Sequence, residues 1–260
     1  MPYGFLYIIF LVALALLPSL IWLAYFLKRD DQPEPRIRLI ITFCFGVLIT
    51  FLASHLENFV GNWSRNFNSI ILGTIVFFFV FPFIEEVSKF LATVLSNIRN
   101  RYFCDECTDP MVYSITAALG FAAAENLKVC FSILQENSVT LSGHFFAATT
   151  VPIVVLNTLI ITILIRFFSA VFLHANAASI YGYFWGVGRL LQKRKHIKIY
   201  LIAFGILLAT LLHSCYNYLI MKTSENLYFA FGVILLLVVS NYIMSRSFKQ
   251  IKSYQKYYGL

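Results

Sequence analysis

Charge is what this chain has least of. Of its 260 residues only 12% are Asp, Glu, Lys or Arg, while 60% are hydrophobic. Soluble domains carry about 25% charged residues, so a water-exposed globule is excluded. Mean hydropathy is +0.78, the value of a chain that lives in a bilayer. Polar stretches long enough to form a separate soluble domain are missing, and the chain reads as one integral membrane domain over residues 1–260. Strand-like alternation with regular turns is missing too, which argues against a β-barrel. No internal repeat is visible.

Cysteine is sparse and odd in number. Cys44, Cys130 and Cys215 fall in apolar runs, and Cys104 and Cys107 form a lone CxxC. A zinc ribbon needs a second pair, so the CxxC reads as structural or incidental before redox or metal-binding. A cleavable leader is not expected either. Residues 3–27 exceed the length of a signal-peptide apolar region, and no Lys or Arg precedes them. They read as a retained first span.

What is present is apolar runs. Windows of about 20 residues mark eight segments, 3–27, 37–59, 69–97, 110–134, 144–167, 168–191, 198–221 and 226–245. The expected fold is all-α, a polytopic transmembrane bundle of about eight helices. The net charge of +8 is a topology signal and an attraction to anionic lipid, not a nucleic-acid footprint. Eight crossings split the basic loops between the two sides. If the region 110–191 crosses twice or four times instead of three, every basic segment falls on one side. Seven crossings are therefore the alternative, with 144–167 as the segment that does not span.

The charges that do occur inside apolar runs are the informative ones. An ionisable residue at mid-bilayer costs about 2.5–3.5 kcal/mol on insertion scales. Glu85, Glu86 and Lys89 stand together in the third segment. Glu85 and Lys89 share a helix face and can pair, while Glu86 points about 100° away. Pro82 just upstream is expected to kink the helix. Glu125 and Asn126 follow the small-residue run Gly120-Phe121-Ala122-Ala123-Ala124, which lets another helix approach closely. Lys128 offers Glu125 a local partner. His174 lies in the sixth segment, and His213 and Asn217 share a face of the seventh.

Each of these alone reads most simply as a packed, hydrogen-bonded residue. Together they place a carboxylate or imidazole on four helices, the groups that bind Zn²⁺ or activate water. Glu85 or Glu86 would be the base, His213 and Asn217 would hold an oxyanion, and Glu125, His174 and His213 would be metal ligands or water positioners. The same groups suit a transporter or channel that relays protons or cations, or a scaffold that keeps the fold without cleavage. Inverted repeats would favour the transporter.

The ordered set Glu85-Glu86-x-x-Lys89, Phe121-x-x-x-Glu125-Asn126, His174-Ala175 and His213-x-x-x-Asn217 resembles the PrsW family of intramembrane proteases, kin to the CAAX prenyl and CPBP proteases. Asp105-Glu106, Asp109 and Arg166 also fit the resemblance, which covers about residues 80–220 as a catalytic core. The resemblance implies endoproteolysis of a membrane-anchored protein, such as an anti-sigma factor in a bacterial cytoplasmic membrane. It leaves two mechanisms open, Zn²⁺-assisted and metal-free with Glu85 as base. The CAAX relatives carry His where Glu125 stands, so their ligand set does not carry over.

Overall fold

A computed structural model describes residues 2–30, 32–98, 106–140, 152–190 and 195–258. Cys104, Asp105, His144 and the first part of the 144–167 segment lie outside the described residues. Those described form helices with no strand among them: α1 Pro2–Leu27, α2 Arg36–Arg65, α3 Ile70–Ile75, α4 Phe81–Asn97, α5 Asp109–Thr140, α6 Ile153–Phe168, α7 Ala170–Leu190, α8 Lys195–Thr223 and α9 Tyr228–Tyr258. A π-turn over Val76–Val80 joins α3 to α4.

Local chemistry sets the ends. Pro35 precedes α2, whose first residue is Arg36. Asn68 takes a positive φ of 47°, a conformation its short polar side chain tolerates. Ser69 then caps α3 by accepting the Leu72 N–H at 3.3 Å. The π-turn has its own cause. Pro82 has no N–H to give and its ring crowds the carbonyl four residues back. The backbone widens just before it, and the Phe81 N–H bonds the Val76 carbonyl five residues back. The expected kink at Pro82 is thus a π-turn on its upstream side.

The bundle is organised around α5, whose first sixteen residues are buried without interruption. Its Gly120 and the Gly46 of α2 let these two backbones touch. A Cβ at Gly46 would collide with the Ala117 carbonyl, and one at Gly120 with the Phe43 carbonyl. Dispersion and close backbone approach hold such helices together, since lipid gives them no hydrophobic reason to associate. The outer faces carry bare apolar side chains such as Ile70, Ile153, Phe231 and Leu235, as a lipid-facing surface requires.

Among the described residues, seven helical rods are long and apolar enough to cross a membrane, and one of them is Ile153–Leu190. Segments 144–167 and 168–191 therefore do not read as two crossings. Helices α6 and α7 make one bent rod, broken only at Ser169 (φ −119°, ψ −86°). Ser169 Oγ donates back to the Ile165 carbonyl at 2.7 Å, a bond that bends helices.

Seven crossings place the α1–α2 connection, the start of α5, the α7–α8 connection and the end of α9 at one end of the bundle. Contacts show these pieces together. Arg29 donates to Ser245 Oγ at 2.7 Å, the Cys107 N–H donates to Gln255 at 3.3 Å, and Lys198 lies 5.9 Å from the Trp185 ring. Lys28, Arg29, Arg36, Arg38, Arg189, Lys198, Lys249, Lys252 and Lys256 all belong to that end. Arg65 and Lys222 end helices at the other.

Candidate active site

Helix α4 places its three charges on two faces. Lys89 reaches Glu86 Oε1 at 2.8 Å, Glu85 Oε2 at 3.2 Å and His174 Nδ1 at 2.7 Å. The face of Phe121 lies 4.6 Å from the same ammonium. Lys89 and Glu86 are completely buried, whereas the Glu85 side chain keeps 13% of its surface open. The Glu85–Lys89 pairing read from the sequence is present. Glu86, the carboxylate expected to point elsewhere, is the closer partner.

The imidazoles come from α7 and α8. His213 Nδ1 meets Glu86 Oε1 at 2.8 Å, and its Nε2 lies 3.9 Å from Glu85 Oε2. The His174 and His213 rings stand edge to face, 5.2 Å between centroids. The partners fix the tautomers. An ammonium can only donate, so His174 Nδ1 accepts from Lys89 and Nε2 carries the hydrogen. That N–H faces Glu125 Oε2 at 2.8 Å. A carboxylate can only accept, so His213 Nδ1 carries the hydrogen given to Glu86. His213 Nε2 is left with a free lone pair turned toward Glu85.

Glu125 sits behind His174, not beside His213. Arg166 approaches it at 3.4 Å and donates from Nε to Asn126 at 2.6 Å. Asn126 in turn donates to the Ala15 carbonyl at 3.2 Å. The bend at Ser169 lets Arg166 of α6 and His174 of α7 converge on Glu125. Lys128 does not pair with Glu125; its ammonium contacts Ser54 Oγ on α2. Asn217 lies one turn past His213, half-buried, and makes no hydrogen bond to the centre among the described residues. The structure thus brings Glu85, Glu86, Glu125, His174 and His213 into one connected set and leaves Asn217 at its margin.

The set has an unbalanced charge. With the carboxylates ionised, Lys89 and Arg166 face Glu85, Glu86 and Glu125, which leaves one negative charge uncompensated. Glu85, His174 and His213 each offer one ligand atom, all within 4.8 Å of one another. Two imidazoles and a carboxylate form a known catalytic zinc donor set, and the excess negative charge favours a cation. The Glu125–His174 hydrogen bond has the form of a carboxylate that orients a ligating imidazole from behind. His174 can join that set only through Nδ1, once Lys89 moves off that lone pair; Glu85 then completes the set in the place where Glu125 was expected.

One carboxylate escaped the reading of motifs. Glu57 stands in α2, and its Oε1 is buried without a hydrogen-bond partner. A signal was available, since it interrupts the apolar run 37–59.

These features define a class: a polytopic helical membrane protein with a buried carboxylate–imidazole centre shared by four helical rods. The family model for the PrsW family intramembrane metalloproteases matches residues 34–243, and the chain belongs to that family. It is 31% identical over 125 residues to Protease PrsW of Clostridioides difficile (strain 630), a match that covers 47% of this chain and 51% of that protein. It is 21% identical over 220 residues to Protease PrsW of Bacillus subtilis (strain 168), covering 84% of this chain and 86% of the relative. The chain thus spans about half the length of the first of these relatives. No solved structure matches it.

Proposed function

We propose that this protein is an intramembrane endopeptidase that hydrolyses a peptide bond in a membrane-anchored protein. The observation that carries the reading is the convergence of Glu85, Glu86, His174 and His213 from α4, α7 and α8. A structural role for so many ionisable groups would be satisfied by pairs. Here a partly open carboxylate faces an imidazole lone pair.

The chemistry follows from that gap. Glu85 Oε2 and His213 Nε2 are 3.9 Å apart, too far for a direct hydrogen bond. One water with legs of about 2.8 Å can touch both. Glu85 takes a proton from that water as it attacks the substrate carbonyl, and returns it to the leaving amine. Glu86 holds His213 in the tautomer that keeps Nε2 free, and Lys89 holds both carboxylates in place. Arg166 and Glu125 fix the His174 ring. Asn217, one turn from His213, is the side chain available as an oxyanion donor.

A zinc ion on Glu85, His174 and His213 would supply Lewis-acid polarisation of the carbonyl and a more acidic water. With that ligand set Glu86 is the carboxylate left to hold a proton, since its Oε2 accepts no hydrogen bond.

The depth of the site suggests which side is served. His213 lies ten residues, about 15 Å of helix rise, from the end of α8 at Thr223 and eighteen from its start at Lys195. The basic end is the Lys195 end, and positive charge marks the cytoplasmic side. The centre therefore opens nearer the outer face. This suits first-site cleavage of a single-span protein of the anti-sigma-factor kind in a bacterial cytoplasmic membrane.

The test is cleavage of a single-span reporter protein by the purified protein in lipid nanodiscs. Glu85→Ala and Glu86→Ala should each lower turnover by at least a hundredfold with the thermal midpoint retained within a few degrees for Glu85→Ala. Cleavage retained by both variants sinks the reading. Full activity after exhaustive chelation, with no metal bound, would assign the reaction to Glu85 and His213 alone.

A further inference from the structure

Between Glu136 and Glu225 the sequence holds no Asp or Glu. Two cations of that stretch reach acids outside it, Arg166 on Glu125 and Lys222 on Glu225. Arg189 and Lys198 meet no acid among the described residues, and the charged neighbour of Lys198 is Arg189 itself. Arg189 stands in the last turn of α7 and Lys198 near the start of α8. Both are half-buried. The two helices touch here. A Cβ on Gly188 would lie 3.2 Å from the Lys198 Cα and 3.1 Å from its Cγ. The Lys198 ammonium lies 5.9 Å from the Trp185 ring, and Arg189 is about one turn past that tryptophan on α7. Helix α4 reaches the same ring, with Phe90 at 5.3 Å.

Two like charges held together and partly out of water repel more strongly than in bulk solvent. Arg189 gains from the negative end of the α7 dipole. Lys198 sits at the positive end of α8, whose first turn carries no acid. Long stems let such cations reach water one by one, but Gly188 keeps these two side by side. Acids at this end of the bundle are engaged elsewhere. Glu34 accepts from the Tyr113 hydroxyl, Glu106 from the Thr108 hydroxyl and Asp109 from the Glu106 N–H. Charge balance calls for an anion from outside the chain. Ile199 and Tyr200, the two residues after Lys198, are exposed, so that anion meets the pair beside a lipid-facing wall.

We propose that Arg189 and Lys198 form a binding site for the phosphate of an anionic lipid, in the leaflet at the basic end of the bundle. The Arg189 guanidinium donates to the phosphate oxygens from its planar fork, the Lys198 ammonium adds a second charge, and the acyl chains run along Ile199 and Tyr200. Lys198 is fifteen residues from His213 in the sequence, about 22 Å of helix rise, so this site is separate from the buried centre. The helices that meet at Trp185 are α4, α7 and α8, the same three that carry Glu85, Glu86, Lys89, His174 and His213. A bound headgroup ties their basic ends together whatever reaction the centre performs.

The test is lipid binding to the full chain in a neutral detergent, read by native mass spectrometry and by the thermal midpoint. Phosphatidylglycerol should bind roughly tenfold or more tightly than phosphatidylcholine, since each cation near an anionic lipid surface contributes about fivefold. Arg189→Gln with Lys198→Gln should abolish that preference and the rise in midpoint that goes with it. Lys249→Gln with Lys256→Gln removes the same charge from exposed positions at the same end and should leave the preference within about twofold. Arg189→Lys with Lys198→Arg should keep it. If the double Gln variant does not fold, Arg189→Gln and Lys198→Gln singly should each lower the preference by about fivefold. Equal binding of the two lipids by the native protein, a preference that survives loss of both cations, or an equal loss in the Lys249 and Lys256 variant would each overturn the inference. Glycerol 3-phosphate binding as tightly as phosphatidylglycerol would overturn the lipid as the source of the phosphate.

Discussion

Lys89 sets the charge of the centre. Its ammonium is fully buried and touches two carboxylates and an imidazole. A buried pair gains little over an apolar replacement, but breaking it by removing one partner costs about 3–5 kcal/mol. Lys89→Met should therefore lower the thermal midpoint in detergent sharply. Lys89→Met combined with Glu86→Gln should recover part of the loss, and a double-mutant cycle on melting curves measures the coupling. The sequence made the Glu85–Lys89 pair legible because four residues of helix place them on one face. It did not reveal that Glu86 is the closer partner, since that depends on which face of α4 turns to α7 and α8. Glu57 was missed for a related reason: one acid in an apolar run has no motif around it, and only the tertiary structure shows that its oxygen is covered and unpaired.

A second residue, far from the centre, gives a pH test. Asp30 lies between α1 and α2 and is buried. Burial chiefly, with repulsion from Glu34 and Glu106 and against the backbone N–H of Gln32, raises its pKa from 3.8 to about 6. The folded state thus holds this proton more tightly than the unfolded one. Its contribution to stability is fully present below about pH 4, falls as pH rises toward 6 and then levels off. Asp30→Asn should raise the thermal midpoint at pH 7.5 and leave it unchanged at pH 4. An equal shift at both pH values would refute the assignment.

At the scale of elements, the α2–α5 crossing carries the site. Glu125 and Asn126 of α5 follow directly after Gly120 and its alanines, and the carbonyls of Phe43 and Ala117 occupy the space a side chain would need. Gly120→Leu should force the two helices apart, lower the yield of folded protein and abolish activity, as size-exclusion profiles and melting curves would show. Gly73, with nothing within 4 Å of an added Cβ, should accept alanine with no loss and serves as the control. The small-residue run announced that some helix comes close. It could not say which, because close approach depends on a partner stripe 74 residues away at Gly46. The bend at Ser169 was equally illegible. Hydropathy sees 144–167 and 168–191 as two adjacent runs, and only the continuous path through Ser169 joins them.

At the scale of the whole molecule, that join decides the topology. With eight crossings the α1–α2 connection and the tail of α9 would lie on opposite sides. With seven they lie on the same side, and most of the described basic residues at helix ends gather there with them. Electrostatics then orients the bundle, because cytoplasmic loops retain Lys and Arg. Exposed Gln32, Ser224 and Ser253 sample the three places that matter. In a background where all five native cysteines are replaced, Gln32→Cys and Ser253→Cys should react with a membrane-impermeant maleimide only after cells are opened. Ser224→Cys should react in intact cells. Labelling of Gln32→Cys and Ser253→Cys from opposite sides would restore the eighth crossing. Labelling of both from outside would invert the bundle and move the centre, ten residues from Thr223, toward the cytoplasm, where it could not act first on the outer part of a single-span substrate.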